Sequence, residues 1–151
     1  MSQYLVLNTQ YYFNMKNAIK YGLLIGISSG IWILIMHFAG VYGKDNPRTD
    51  NLSWLEYASI IIPFAGLFLG IKNFRDHING GRMEFFEGLF EGIKIIIVGG
   101  VIASFFAVVY VQYSPSVLST DYMGRIGGAG LMGILFTLII SLLLMNKQKN
   151  L

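Results

Sequence analysis

Few side chains in this sequence combine reactive chemistry with an apolar setting, and two of them form a candidate pair. His37 lies near the end of one apolar run, and Glu56 lies near the start of the next. Because a short polar connection separates the runs, we expect a hairpin that brings both residues to a similar depth. A Glu–His pair facing a cavity could relay a proton or hold a cation. Both residues lie near the ends of their segments, which favours the alternative that both are hydrated at a membrane surface.

Pro63 adds a second feature to the same segment, since it lies well inside the second apolar run. A proline at such a position frees a backbone carbonyl group and usually kinks the helix. His37, Glu56 and Pro63 are therefore the residues we would expect to line a polar path, if the chain has one.

The one long charged segment spans residues 72–94. Within it, Glu87, Glu91 and Lys94 fall at helical spacings and could form a charge network on one helix face. We predict instead that they form a solvated cap at the membrane surface, where the Lys94 ammonium group can reach water. Residues 72–87 are predicted to be a cytoplasmic loop and the candidate interaction surface. Its candidate residues are Phe74, Arg75, Asp76, Gly80, Gly81 and Arg82.

Several classes of chemistry are not indicated. The chain has no cysteine, which excludes disulfides, thiol catalysis and cysteine-ligated metals. Nucleotide-binding loops and the common hydrolase and metalloprotease motifs are absent from the sequence. Basic residues sit at segment ends and form no face, so no nucleic-acid partner is expected. We therefore expect no enzyme, no cofactor and no metal site.

The elements that position these residues are predicted to be membrane-spanning helices. Hydrophobic residues make up 54% of the 151 residues and charged residues only 13%, against roughly a quarter in soluble domains. Four runs approach the ~20 residues needed to cross a bilayer. The prediction is an all-α membrane protein with one transmembrane domain at 18–145, an interfacial segment at 1–17 and a cytoplasmic tail at 146–151. The four predicted spans are 18–40, 53–71, 88–113 and 124–145.

The distribution of basic residues predicts the orientation of these spans. The amino-terminal side, the central segment and the carboxyl end hold eight of the eleven Lys and Arg residues. Because cytoplasmic loops are enriched in Lys and Arg, both termini are expected in the cytoplasm. A weak similarity at a shift of seventy residues further suggests two tandem helical hairpins of the same orientation.

Glycine spacing predicts where the helices pack. Small residues that recur every four positions allow close approach of helices in lipid, where the hydrophobic driving force is small. We expect these rows to pack within one chain, with a homodimer face as the alternative. The rows are Gly22, Gly26 and Gly30 in the first span, Gly66 and Gly70 in the second, Gly88 and Gly92 in the third, and Gly124 and Gly128 in the fourth.

The central segment resembles a family of small bacterial membrane proteins known as domain of unknown function 4199. The resemblance rests on Phe74-Arg75-Asp76, on Gly80-Gly81, and on a phenylalanine-led helix start. It implies a location in the bacterial inner membrane with a four-span layout. It supplies no activity, substrate or catalytic residue.

Two functions remain open from the sequence. The first is a structural or partner-binding protein embedded in the lipid bilayer, with another membrane protein or a second copy of the chain as its partner. The second is a subunit of a small-solute or ion transporter or channel. The packing around Pro63 distinguishes them, because a transporter needs a polar cavity there, whereas an interaction protein is filled by Phe, Leu and Ile.

Overall fold

The chain is all-helical where the computed structural model describes it. The described residues are 2–42, 54–114 and 118–146, with side chains described for 15–42, 55, 57–114 and 122–146. Three helices are long and apolar enough to cross a membrane. The prediction of an all-α chain with helices of membrane-spanning length is therefore confirmed. The helices are α1 (Ser2–Phe38), α2 (Trp54–Ala58), α3 (Ile61–Asn73), α4 (Phe85–Tyr113) and α5 (Leu118–Leu144).

Helices α1 and α4 pack closely and run in the same direction. A Cβ atom placed on Gly26 would lie 2.6 Å from Ile102 Cβ and 3.1 Å from the carbonyl oxygen of Gly99. Only glycine fits so close an approach of two backbones, as expected for helices in lipid. Because the residue numbers rise together along the contact, the two helices are parallel. The glycines in register are Gly22 against Val98, Gly26 against Ile102 and Gly30 against Phe106.

Helices α3 and α5 run in the opposite direction to α1 and α4. As residue numbers increase along α3, the residue numbers of their contact partners on α1 decrease. The contacts between α5 and α4 show the same pattern. Both glycines predicted on the second span therefore lie in contacts within the chain. The antiparallel pairs are Gly66 with Ile25, Gly70 with Tyr21, Gly92 with Thr137 and Gly133 with Ile96.

The second apolar run is not the single helix predicted over residues 53–71. It is divided into α2 and α3, with a turn at Ser59 and Ile60 between them. The expected distortion from Pro63 is present, and it falls four residues before the proline. The ring of a helical proline collides with the carbonyl group four positions earlier, which here belongs to Ser59.

The predicted loop at residues 72–87 is shorter in the structure. Helix α3 continues to Asn73 and passes into a π-helical turn at Phe74–Ile78. The chain then turns at Gly80 and Gly81, whose φ angles of 64° and 79° lie in the left-handed region that favours glycine. Helix α4 begins at Phe85, after three non-helical residues. This start is three residues before the predicted start of the third span.

The other predicted boundaries differ in two places. Residues from Ser2 onward belong to the same helix as the first span, where a separate interfacial segment at 1–17 was predicted. Helix α5 begins six residues before the predicted start of the fourth span. Of the predicted tail, Asn146 is described and the residues after it lie outside the described part.

Two apolar clusters stabilise the ends of the bundle. The larger contains Leu67, Ile71 and Ile95, each with no exposed surface, together with Phe74. The smaller surrounds Met36 and lies at the far end of α1. Large apolar side chains elsewhere on α1, α4 and α5 are widely exposed, which suits helices surrounded by lipid.

We predict that Gly26→Leu will weaken the α1–α4 contact, because its side chain has no space between Ile102 and Gly99. Overpacking of this kind costs about 1–3 kcal/mol or more, and thermal unfolding in detergent measures it. Gly100→Leu is the matched control, since nothing lies within 4 Å of a Cβ placed there. Equal melting temperatures for Gly26→Leu and the unsubstituted chain would contradict the prediction.

Candidate functional site

The most unusual polar residue of the bundle is Glu91, which lies in the second turn of α4. Its side chain has no exposed surface, although the helix that carries it is long and apolar enough to span a membrane. Gly88 and Gly92 lie on the same buried stripe of α4, so neighbouring helices approach closely and cover the carboxylate. Ionisable groups in such positions are rare and are paired when they occur.

Two asparagines on other helices form a hydrogen-bonded chain that ends on this carboxylate. The Asn17 amide on α1 donates to Glu91 Oε1 at 2.7 Å and to the Gly70 carbonyl oxygen at 3.1 Å. The Asn73 amide on α3 donates to Asn17 Oδ1 at 2.9 Å. These hydrogen bonds link three helices through one buried side chain, because Asn17 is only 4% exposed.

Lys94 provides the positive charge of the cluster. Its Nζ lies 2.6 Å from Glu91 Oε2 along the same helix. That oxygen accepts no hydrogen bond of good geometry, so charge attraction is its main interaction. The Lys94 side chain is one third exposed, which allows its ammonium group to lie between the carboxylate and the helix surface. We refer to Asn17, Asn73, Glu91 and Lys94 as the polar clamp.

The polar clamp can do two things chemically. With every partner in place, it fixes the relative positions of α1, α3 and α4, since any sliding leaves a buried polar group without a partner. Its carboxylate and carbonyl oxygens are also groups able to hold a proton or a small cation. In the described part of the chain, no set of three or more His, Asp or Glu side chains lies close enough to hold a metal ion.

Sequence reasoning missed the polar clamp. It placed Glu91 in a solvated cap with Glu87 and Lys94, and this is wrong for Glu91 because the side chain is buried. Glu87 does remain exposed, and it accepts hydrogen bonds from Asn79 Nδ2 and from the Glu84 backbone amide. The available signal was helical spacing, because Glu91 shares a buried stripe with two glycines.

His37 lies at the other end of the bundle from the polar clamp. Its Nδ1 is 2.7 Å from the Tyr110 hydroxyl group on α4, and the two rings meet edge to face. The predicted partner, Glu56, has its side chain outside the described residues. The structure therefore joins His37 to α4, which sequence reasoning did not foresee.

The predicted interaction loop divides into buried and exposed residues. Phe74 was assigned to that surface but is a core residue, only 6% exposed and packed in the larger apolar cluster. Gly80, Gly81 and Arg82 are exposed, as is Asp76. The loop is therefore an accessible surface supported by a buried phenylalanine.

Arg75 and Asp76 form an ion pair on this surface, with 2.6 Å between Arg75 Nε and Asp76 Oδ1. The hydrogen bond from Arg75 lowers the pKa of Asp76 below its usual value, with the charges of Arg75 and Lys72 acting in the same direction. The pair is thus intact above the ordinary carboxyl pKa of ~4 and is lost as pH falls through the lowered value.

The end of α5 holds the same loop in position. Asn146 donates from its side chain to the Gly81 carbonyl oxygen at 2.9 Å and from its backbone to the Met83 carbonyl oxygen at 3.1 Å. The helix α5 and the turn before α4 therefore meet at one side of the bundle. This contact limits how far the turn can move relative to α5.

Comparison with known proteins identifies one family. A family model described as protein of unknown function (DUF4199) matches residues 20–126, more than two thirds of the chain. The resemblance predicted from the central segment is confirmed by this match. No curated protein and no solved structure matched the chain at a significant level.

We predict that Asn17→Leu will destabilise the bundle, because it removes the donor shared by Glu91 and the Gly70 carbonyl group. Leaving buried polar groups without partners costs about 1–3 kcal/mol, and more where one is charged. Thermal unfolding in detergent measures the change. Met15→Leu is a control at an exposed position of the same helix. A loss no larger than that of the control would show that the hydrogen bonds contribute nothing.

Proposed function

We propose that this chain, which belongs to the protein family of unknown function DUF4199, is a non-enzymatic membrane protein that works by binding another membrane protein. In this proposal the chain crosses the bacterial inner membrane four times, with both termini in the cytoplasm. The polar clamp holds the helices in register, and the loop before α4 presents the binding surface.

The path of the chain supports a fourth crossing. Because α1 and α4 are parallel, the segment between them must return from the end of α1 to the level where α4 begins. Leu55 packs in the cluster around Met36 at the far end of α1. The Gly70 carbonyl oxygen accepts a hydrogen bond from Asn17, near the start of the apolar stretch Met15–Phe38. Those two levels are 19 residues apart on α1, or about 28 Å, close to the ~30 Å of a hydrocarbon core.

The proposed orientation rests on basic residues. Of the eleven Lys and Arg residues, six fall on the side of the polar clamp and two more, Lys147 and Lys149, follow α5 in the sequence. Since cytoplasmic segments are rich in Lys and Arg, that side is assigned to the cytoplasm. The loop and the predicted tail then face the same compartment.

The packing beside Pro63 is the observation that carries the preference for partner binding. Phe64 meets Phe136 edge to face with 5.3 Å between ring centroids. One turn later, Leu67 has no exposed surface, and Ile25 fills the space in front of Gly66. A polar path between the helices would need hydrophilic groups here, whereas these contacts are apolar.

The surface proposed for the partner lies between α3 and α4. Asp76, Arg82 and Phe86 are exposed there, the last with 64% of its surface accessible. Charged side chains beside an exposed aromatic ring suit a partner segment at the membrane surface, where both kinds of contact are available. Phe74 anchors this surface in the larger apolar cluster, and Asn146 binds the Gly81 carbonyl oxygen. These contacts fix the conformation of the surface.

A second candidate function is favoured by Glu91 itself. A fully buried carboxylate within an apolar helix is the type of residue that marks proton and ion pathways. In this alternative the chain is a transporter or channel subunit, and the pathway uses Glu91 instead of His37 and Glu56. The carboxylate would exchange Lys94 for a proton or cation during transport.

We predict that the paired changes Asp76→Ala and Arg82→Ala will abolish recovery of a partner protein, because they remove two exposed charges of opposite sign from the proposed surface. The measurement is cross-linking in native membranes followed by purification of the chain. Arg48→Ala with Asp50→Ala is a charge-matched control in the connection after α1. Recovery of the same proteins from both variants would remove the case for this surface.

For the second candidate, we predict proton or cation flux in proteoliposomes that is lost with Glu91→Gln, because the substituted amide cannot exchange a proton. Glu87→Gln, one turn earlier and exposed, is the matched control and should leave the flux unchanged. Both variants must elute as folded protein of unchanged size. Flux no greater than that of empty liposomes would reject the transport function.

A further inference from the structure

Two lysines on α1 stand at the beginning of its membrane span. Lys16 and Lys20 are four residues apart, both exposed, and lie near the start of the apolar stretch Met15–Phe38. Residues at this spacing lie on the same side of a helix. The Lys20 ammonium group also lies 5.4 Å from the centre of the Tyr21 ring, at the level where headgroups meet hydrocarbon.

Neither lysine has a carboxylate partner among the described residues. No Asp or Glu precedes Asp45 in the sequence, so α1 carries no negative side chain. The acidic groups of the adjoining helices and turn are engaged elsewhere. Asp76 binds Arg75, Glu87 binds Asn79 and Glu91 binds Lys94, and the Glu84 side chain accepts a hydrogen bond from the backbone in the first turn of α4. The two positive charges are therefore available to an anion from outside the chain.

An exposed apolar strip continues from these lysines along α1. Counting from Lys20, the positions at helical spacing that keep to one side are all large and aliphatic. Each of them is 46–53% exposed, so the strip is not covered by the bundle. From Leu24 to Leu34 the strip extends about 15 Å along the helix axis, which matches the ~15 Å of one leaflet. Its residues are Leu24, Ile27, Ile31 and Leu34.

We propose that this face of α1 is a binding site for an anionic phospholipid. The lipid phosphate lies against Lys16 and Lys20, and an acyl chain lies along the strip above them. Positive charges at the headgroup level joined to an uncovered apolar surface match the two halves of such a molecule. The proposal needs α1 to span the membrane and is independent of whether the protein binds a partner or moves an ion.

The test compares lipids with identical acyl chains. Purified protein in detergent is titrated with dioleoyl phosphatidylglycerol or dioleoyl phosphatidylcholine, and the bound lipid is counted by native mass spectrometry. We expect tighter binding of phosphatidylglycerol, by roughly fivefold for each lysine. The preference should fall as salt rises, because exposed charges are screened.

The variants assign that preference to the two lysines. Lys16→Gln with Lys20→Gln should bind both lipids equally, and Lys16→Arg with Lys20→Arg should keep the preference. Lys44→Gln with Arg48→Gln removes two charges after the other end of α1 and should also keep it. The proposal is overturned if the unsubstituted chain shows no preference, or if the glutamine variant retains it.

Two further outcomes would reject a lipid in favour of another occupant. The compound sn-glycerol 3-phosphate has a phosphate group but no acyl chains. If it displaced phosphatidylglycerol as well as unlabelled phosphatidylglycerol does, the face would be a site for free phosphate compounds. A dimer in detergent that separates in the glutamine variant would identify this face as a contact between two copies of the chain.

Discussion

The close approach of α1 to α4 is the constraint on which the rest of the bundle depends. Lipid provides little hydrophobic force between helices, so contact must come from close packing. At Gly26 the space for a side chain is already occupied by Ile102 and by the Gly99 carbonyl group. Because this contact makes the two helices parallel, the segment between them has to run back along the bundle. The direction of α3 follows from that requirement.

Different kinds of side-chain contact join α1 and α4 at the two ends of this parallel pair. At one end, Asn17 and Glu91 join the helices through a buried charge and its hydrogen bonds. At the other, His37 and Tyr110 make a single hydrogen bond within a group of aromatic rings. A buried charged network tolerates little displacement, because each group depends on the others. The end with the polar clamp is therefore the more tightly specified of the two.

The helical fold was predictable from composition and from the length of the apolar runs, since both follow directly from the thickness of a bilayer. The row from Gly22 to Gly30 was also recognisable as a packing face. The helix that packs against this face was not predictable, because glycine spacing identifies a packing face but not the helix that contacts it. Pro63 predicted a distortion of the second apolar run but not its position. The position at Ser59 follows from the clash of a helical proline ring with the carbonyl group four residues earlier.

The candidate site was less accessible to sequence reasoning. Glu91 lies close to a helix start, and nearness to an end suggested hydration. Its burial depends on Asn17 and Gly70, which are distant in sequence and are brought together only by the fold. Phe74 was misjudged for a related reason. Charged residues follow it in the sequence, which suggested an exposed position, whereas the fold packs it in the larger apolar cluster.

The pairing of α1 with α4 also has a consequence for biosynthesis. The partner of Gly26 is made about 75 residues later, a delay of about 4–15 seconds at ordinary elongation rates. During that interval the glycine face of α1 has no protein neighbour of its own chain to meet. The newly inserted helix must therefore wait in lipid, or beside the insertion machinery, until α4 arrives to complete the pair.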